Sequence, residues 1–491
     1  MYNKLTEKLG NKKASAVFCI CVAAVLIAVN VLIAVLPSSV TKYDVTDYGM
    51  YTMSGATVAE IKKVDDNVDI YIMMYADQSN ETMMTVLERF KSMNKNIEIH
   101  ALDMEKDAAF ISEYSASPES GSLIVKSEKR SIYVPYFNLF YFGDTALTNA
   151  MSYYNYYYQS GAVTGTFNQF LYTYGIYLGL YDGYQYEDMI TSAVQYVTSD
   201  EVKNVYMLKG HKELSLTNDV RMRMMNSGIA LNQLSLIEND IPADCDGIIL
   251  LPNSDITALE REKLTAYTEK GGKILLGTMY GTDYTELNKF TQLFGLTSTP
   301  AYLFDDAKGY CFEGYSALIC PDIVSESYDT AVGEAAFILL GGTNAISETE
   351  TIPAGVKVTP ILKTSAQAYT KSSIVDGITA FTPETDVRAQ YYAAASATNA
   401  NGGGIVWIPS STVIYDDYDY YTGFGNKLLF MKALTETAGS NDTITVEPTV
   451  VVNSVLEATP TAVYVFLGLI TVLPLVAIGG GYVYCHKRKF A

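Results

Sequence analysis

Few residues in this 491-residue chain combine reactive side chains at a spacing that suits chemistry. The run Gly210-His211-Lys212-Glu213 sets an imidazole two positions from a carboxylate, directly after a segment of strand character. That is the edge where α/β sheets commonly bind ligands. A histidine beside a carboxylate can act as a general base or join a metal site. The same pair can instead fix its loop by hydrogen bonding or make an inter-domain contact, and neither a third ligand nor a nucleophile lies in its sequence neighbourhood. Only three histidines occur, one of them His486 near the C-terminal end, so a histidine-based site has to use His100 or His211.

Of the six cysteines, Cys19, Cys21 and Cys485 lie in or beside long apolar runs, which leaves Cys245, Cys311 and Cys320. That sparseness excludes a disulfide framework. Cys311 and Cys320 are close enough in sequence to close a disulfide and can equally remain free, half-buried thiols. The stretch Asp416-Asp417-Tyr418-Asp419 offers oxygens but lacks the spaced ligands and central glycine of a calcium loop, so it reads as a solvated turn. No Gly-x-x-x-x-Gly-Lys-Ser/Thr loop occurs, and nucleotide hydrolysis by this chain is excluded on that ground. No cofactor is implied.

The elements that must carry these residues are set by apolar periodicity. In residues 68–75, Val68, Ile70, Ile72 and Met74 alternate as in a strand, and residues 81–94 place Met83, Leu87, Phe90 and Met93 on one helical face. A strand through Ile97, Ile99 and Ala101, a short helix at 107–114 and a hairpin at 123–134 complete the order βαβαββ, that of a thioredoxin-like domain. A redox member of that fold needs Cys-x-x-Cys at its first helix. No cysteine lies between Cys21 and Cys245, so the domain is expected to be a scaffold or binding surface.

Residues 141–186 form a tyrosine-rich insertion that includes Tyr153, Tyr154, Tyr156, Tyr157 and Tyr158. Tyrosines suit contact with peptide, glycan or a partner. They also pack glycine-punctuated loops or lie against a bilayer surface.

A second α/β region alternates strands and helices, which implies a parallel sheet. Its strands are expected at 204–208, up to Leu236, at 246–251 and at 273–277, with a helix over 256–270 capped by Ser254 or Asp255. Segments at 387–397 and 405–408 and a helix at 426–438 are expected at its edge and return. The region looks like the class I amidotransferase fold, in which a cysteine nucleophile sits on a strained strand-to-helix elbow. Here the corresponding turn is Thr278-Met279-Tyr280-Gly281, with neither Cys nor Ser, so a non-catalytic version is expected.

The two ends set the topology. Residues 16–36 and 461–484 are uncharged runs long enough, at about 1.5 Å per residue, to cross a hydrocarbon core of roughly 30 Å. Lys4, Lys8, Lys12 and Lys13 border the first, and Lys487, Arg488 and Lys489 close the second, which places both tails in the cytoplasm and the middle outside. A cleaved signal peptide fits less well, because the run is span-length and exits through Leu36-Pro37-Ser38-Ser39. A sortase-type anchor fits less well too, since Leu473-Pro474-Leu475-Val476-Ala477 lacks a Thr-Gly step. Each end carries +3, so the chain's −20 leaves about −26 on the exterior part, which argues against nucleic acid as a partner. Within the spans, Asn30 can hydrogen-bond another helix while Gly468 permits close approach and Pro474 a kink; each can also be tolerated unpaired.

The expected organisation is a cytoplasmic tail at 1–15, a transmembrane helix at 16–36, a thioredoxin-like α/β domain at 37–140, the insertion at 141–186 and an α/β domain at 187–445. A linker at 446–460, a second transmembrane helix at 461–484 and a basic tail at 485–491 complete the chain. In that order the chain resembles the GldG-like auxiliary components of ABC-type transport systems related to gliding motility. The resemblance rests on Tyr43-Asp44-Val45-Thr46 with Tyr51-Thr52-Met53-Ser54, on Asp188-Met189-Ile190-Thr191-Ser192-Ala193 and on Gly210-His211-Lys212-Glu213. It continues through residues 264–276, residues 358–365, Gly425-Asn426 and the proline-containing final span. It implies a non-catalytic bacterial membrane subunit beside an ABC-2-type permease and, through it, a cytoplasmic ATPase. The tyrosine-rich insertion departs from the family pattern. A surface receptor or adhesin using that insertion, and a membrane-tethered hydrolase, are the competing expectations.

Overall fold

The computed structural model describes residues 53–440, apart from 335, 375–378, 416–421 and 424, together with 451–452. All of these but Met53 belong to one compact unit, Ser54–Asn453. Both terminal apolar runs, with Asn30, Gly468 and Pro474, and the acidic stretch at 416–419 lie outside the described residues. Among the described residues no helix is long and apolar enough to cross a membrane.

The unit is mixed α/β with parallel and antiparallel strands. After helix α1 (Gly55–Lys62) come β1 (Val68–Met74), α2 (Glu81–Met93), β2 (Ile97–Asp103), α3 (Ala108–Ile111), β3 (Leu123–Lys126) and β4 (Ser131–Val134). The sheet order is β2-β1-β3-β4, with β1 parallel to β2 and antiparallel to β3. The alternation in β1 sends Val68, Ile70 and Ile72 inward, where Met83, Leu87 and Phe90 of α2 are also buried. Asn80 starts α2 by accepting the amide of Met83 at 2.9 Å.

Helix α6 (Tyr186–Thr198) packs on this first sheet, although the sequence boundary at 187 assigns it to the following domain. Its C-terminal carbonyls explain why. Ser127 Oγ donates to the Val197 carbonyl at 2.5 Å, and the Arg130 guanidinium donates to those of Tyr196 and Ser199 at 2.7 and 2.6 Å. At the other end Glu187 accepts the Ser54 amide at 2.7 Å. The insertion is therefore a detour between β4 and the helix that covers the first sheet.

That detour is helical rather than a loop. Strand β5 (Phe140–Tyr141) leads into α4 (Asp144–Gln159) and α5 (Phe167–Tyr174), and β6 (Gly183–Tyr184) returns to pair with β5. Leu147, Ala150, Met151, Tyr154 and Tyr157 share one face of α4 and pack on Phe167, Phe170 and Leu171. This is the spacing of an amphipathic helix with tyrosine in the apolar positions. A capping box of Thr166 and Gln169 opens α5.

The larger sheet has twelve strands. Strands β7 (Lys203–Leu208), β8 (Ile229–Leu234), β9 (Gly247–Leu250) and β10 (Lys273–Leu276) are parallel, in the order β10-β9-β7-β8. Helix α7 (Asn218–Asn226) joins β7 to β8, and α8 (Ala258–Glu269) joins β9 to β10. Strand Gly404–Trp407 is also parallel and pairs with β10 in the sheet interior, not at its edge. Beyond it the sheet turns antiparallel through strand Tyr392–Thr398. Both faces are covered: Ile249, Leu275 and Val406 enter one core while Ile248, Ile274, Leu276, Ile405 and Trp407 enter the other. That is why these strands read as continuous apolar runs rather than alternating ones.

The Gly425-Asn426 pair has a clear packing role. A Cβ at Gly425 would come within 2.2 Å of the Phe337 carbonyl, so helix Gly425–Ala438 can start there only with glycine. Asn426, fully buried, accepts the Leu339 amide at 2.9 Å and donates to the carbonyls of Leu339 and Thr412 at 2.8 and 3.2 Å. It substitutes for strand pairing where two loops meet.

This packing makes two outcomes measurable. Asn426→Ala removes the buried acceptor of the Leu339 amide and the donor to the Thr412 carbonyl, while Thr412 Oγ1 still donates to the Leu339 carbonyl, and should destabilise by about 1–3 kcal/mol. Denaturation monitored by the fluorescence of Trp407, the chain's one tryptophan, reads the loss, and an unchanged midpoint would contradict the role. In α6, burial, with Glu187 adding in the same direction, raises the Asp188 carboxyl from 3.8 to about 6. The folded form then holds a proton that the unfolded chain releases, so stability is lost as pH rises between those values. Asp188→Asn should stabilise by about 1–2 kcal/mol near neutral pH, allowing for partial exposure, and change nothing below about pH 3.8. Equal effects at both pH values would rule this out.

Candidate functional site

His211 lies in the loop after β7, at the carboxyl edge of the parallel strands, as the sequence places it. The backbone makes a tight reversal there: Gly210 has φ +125° and Lys212 φ +57°, a left-handed conformation that a lysine adopts only at some cost. The reversal folds Glu213 back over its own loop. Its Oε2 accepts the Gly210 amide at 3.0 Å, and its Oε1 accepts the His211 amide at 2.9 Å and faces His211 Nδ1 at 3.0 Å.

On the other side of the ring stands a residue that sequence reasoning missed. Glu260 of α8, 1% exposed, places Oε2 3.0 Å from His211 Nε2. The same oxygen accepts the amide and hydroxyl of Thr257 at 2.8 and 2.7 Å, while the Glu260 amide donates to Thr257 Oγ1. Thr257 is thus the cap of α8, in place of the expected Ser254 or Asp255. Asp255 starts the neighbouring helix, Thr285–Gln292, by accepting the amides of Glu286 and Leu287 at 2.7 and 3.0 Å. The Thr-x-x-Glu spacing of a capping box is the signal that marks Glu260.

This geometry fastens more readily than it reacts. Both imidazole nitrogens face carboxylate oxygens, the ring is 4% exposed, and the His211 carbonyl accepts the Asn253 amide at 3.0 Å. Neither nitrogen presents a lone pair to a reactant. The two carboxylates sit on opposite sides of the ring, and among the described residues no group of His, Cys, Asp and Glu could hold a metal ion. The pair lies within the larger sheet's own region, joining its β7 loop to α8, and so is not an inter-domain contact.

The elbow after β10 is closed in the same way. The Thr278 hydroxyl accepts Trp407 Nε1 at 3.0 Å, and the Met279 amide donates to Tyr284 Oη, which in turn donates to the Pro252 carbonyl at 2.7 Å. The cavity there measures about 10 Å³, room for one water at most.

Cys311 and Cys320 are free thiols: Cys311 lies in strand Cys311–Phe312, in register with Ile319 of strand Tyr315–Ile319, and Cys320 directly follows that strand. Burial, with Cys311 adding in the same direction, pushes the Cys320 thiol up to about 11, away from the thiolate that reacts. The five clustered tyrosines divide. Tyr154 and Tyr157 pack inward, and Tyr154 Oη donates to the Gly165 carbonyl at 2.8 Å. Tyr153, Tyr156 and Tyr158 are exposed at 46%, 70% and 55%.

A roomier concavity lies elsewhere: a cleft of about 730 Å³ between the insertion and the start of α7. Its aromatic wall is Phe142, Phe137 and Tyr172, with ring centroids 4.7 and 5.0 Å apart in that order. Tyr172 Oη donates to Glu119, which pins the ring.

No family model matches the sequence, and no curated protein does. Partial likenesses to solved structures are found. The N-terminal domain of mmIFT52 is 15% identical, with a TM-score of 0.36, over 48% of this chain and 99% of that one. A ThuA-like protein from Bacteroides uniformis is 14% identical, with a TM-score of 0.30, over 48% and 91%. A cold-adapted β-galactosidase from Rahnella sp. R3 is 12% identical, with a TM-score of 0.28, over 51% of this chain but only 33% of its own length. At these values the likenesses assign neither a family nor an activity.

Proposed function

We propose that the chain is a non-catalytic, membrane-anchored accessory subunit of a bacterial ABC-2-type transporter. In this reading a thioredoxin-like domain without Cys-x-x-Cys and an amidotransferase-like domain without a nucleophile form an extracytoplasmic platform for interaction or cargo. The observation that carries it is the pair of uncharged, span-length runs with basic borders at 16–36 and 461–484, which bracket an acidic middle. Asn30, Gly468 and Pro474 are the proposed contacts to permease helices.

The filled elbow and the doubly engaged His211 support a scaffold in place of a hydrolase. The cleft beside the insertion favours a second reading, a surface receptor without a transport partner. Affinity purification of the full chain in a mild detergent separates the two. Stoichiometric recovery of a permease and an ATPase is the expected result, weakened at least severalfold by Asn30→Leu with Gly468→Leu. Recovery of the chain alone under conditions that preserve membrane complexes would contradict the transporter assignment.

A further inference from the structure

The cleft between the insertion and α7 has a composition that points to a ligand class, and that inference does not depend on a transporter partner. At about 730 Å³ it lies within the size range of small-ligand sites. Its aromatic wall, in which Phe142 stacks on Phe137 and Tyr172 packs tilted against Phe137, is held in place by this mutual packing and by the Tyr172–Glu119 hydrogen bond. Polar groups also line the cleft. Asn138, Asn168 and Asn218 make no side-chain hydrogen bond among the described residues, and neither does the Thr173 hydroxyl. Each carboxamide offers both donors and an acceptor. The two charged lining residues, Asp219 and Arg223, pair with one another at 2.8 Å, so the cleft carries no net charge from them.

We propose that this cleft binds a neutral saccharide. A sugar ring has one face of C–H groups that stacks on an aromatic plane, and hydroxyls around its rim that both donate and accept. The carboxamides and aromatic rings match both requirements, while Arg223 is paired with Asp219 rather than directed at an anionic ligand. A peptide is the weaker fit. The strand bordering the cleft, β5, is two residues long, too short a template for main-chain pairing along an extended chain. The cluster of exposed tyrosines on α4 lies off the cleft, so Tyr156 serves as a control on general tyrosine stickiness.

The test uses the full-length chain, purified in a detergent without a sugar headgroup, against a panel of neutral oligosaccharides. Glucose, mannose and N-acetylglucosamine polymers of two to six residues are included, with a charged-glycan set and a peptide library alongside. Binding to at least one neutral oligosaccharide is expected, with a loss of about tenfold or more in Tyr172→Ala and in Asn168→Leu. Tyr156→Ala should bind as the unaltered chain does. Asn168→Leu is a half-buried surface change and Tyr172→Phe keeps the ring, so at least one folded variant is read even if Tyr172→Ala unfolds. Tyr172→Phe should retain binding to within about threefold. Absence of binding across the neutral panel, binding indifferent to Tyr172→Ala and Asn168→Leu, or peptide binding lost in those variants would each overturn the proposal.

Discussion

The larger sheet depends on how its carboxyl edge is closed. A parallel sheet with helices on both faces ends in a row of loops whose polar groups must find partners once water is excluded. Here His211 answers that need, holding Glu213 of its own loop on one side and Glu260 of α8 on the other, each at 3.0 Å. Through Thr257 the same carboxylate starts α8, and through the Asn253 amide the same loop holds the segment after β9. One imidazole therefore ties together the ends of two strands and the start of the helix between β9 and β10.

This closure separates the filled edge from the open cleft. The edge where α/β sheets commonly bind ligands is filled: Trp407 takes the Thr278 hydroxyl, Tyr284 takes the Met279 amide, and a cavity of about 10 Å³ remains. The open volume has moved to the margin, where two helices of the insertion meet the start of α7. A protein built this way holds surfaces in fixed relation to each other, in keeping with the proposed accessory role. The proposed saccharide site then lies beside the insertion.

Sequence periodicity is informative where one physical rule dominates. The alternation of Val68, Ile70 and Ile72 and the apolar run Ile248–Leu251 mark strands because each is set by which faces are buried. The capping-box spacing marks Glu260 as part of a helix start, but its pairing with His211 is not legible there, because the two lie 49 positions apart and only the fold brings them together. Helices α4 and α5 are hidden by composition: a run of tyrosines looks like a contact surface until Tyr154 and Tyr157 are counted with Leu147, Ala150 and Met151 as one face. The place of α6 is hidden for a similar reason, since Arg130 and Ser127 reach it across nearly 70 residues of intervening chain.

A double-mutant cycle between His211 and Glu260, read by unfolding of the full chain, tests the fastening most directly. If the imidazole is a clamp, His211→Ala and Glu260→Ala each destabilise by about 2–4 kcal/mol, and the double variant costs little more than the worse single one, a coupling of about 1–3 kcal/mol. Additive effects, or a His211→Ala variant as stable as the unaltered chain, would show that the ring is not what holds this edge together.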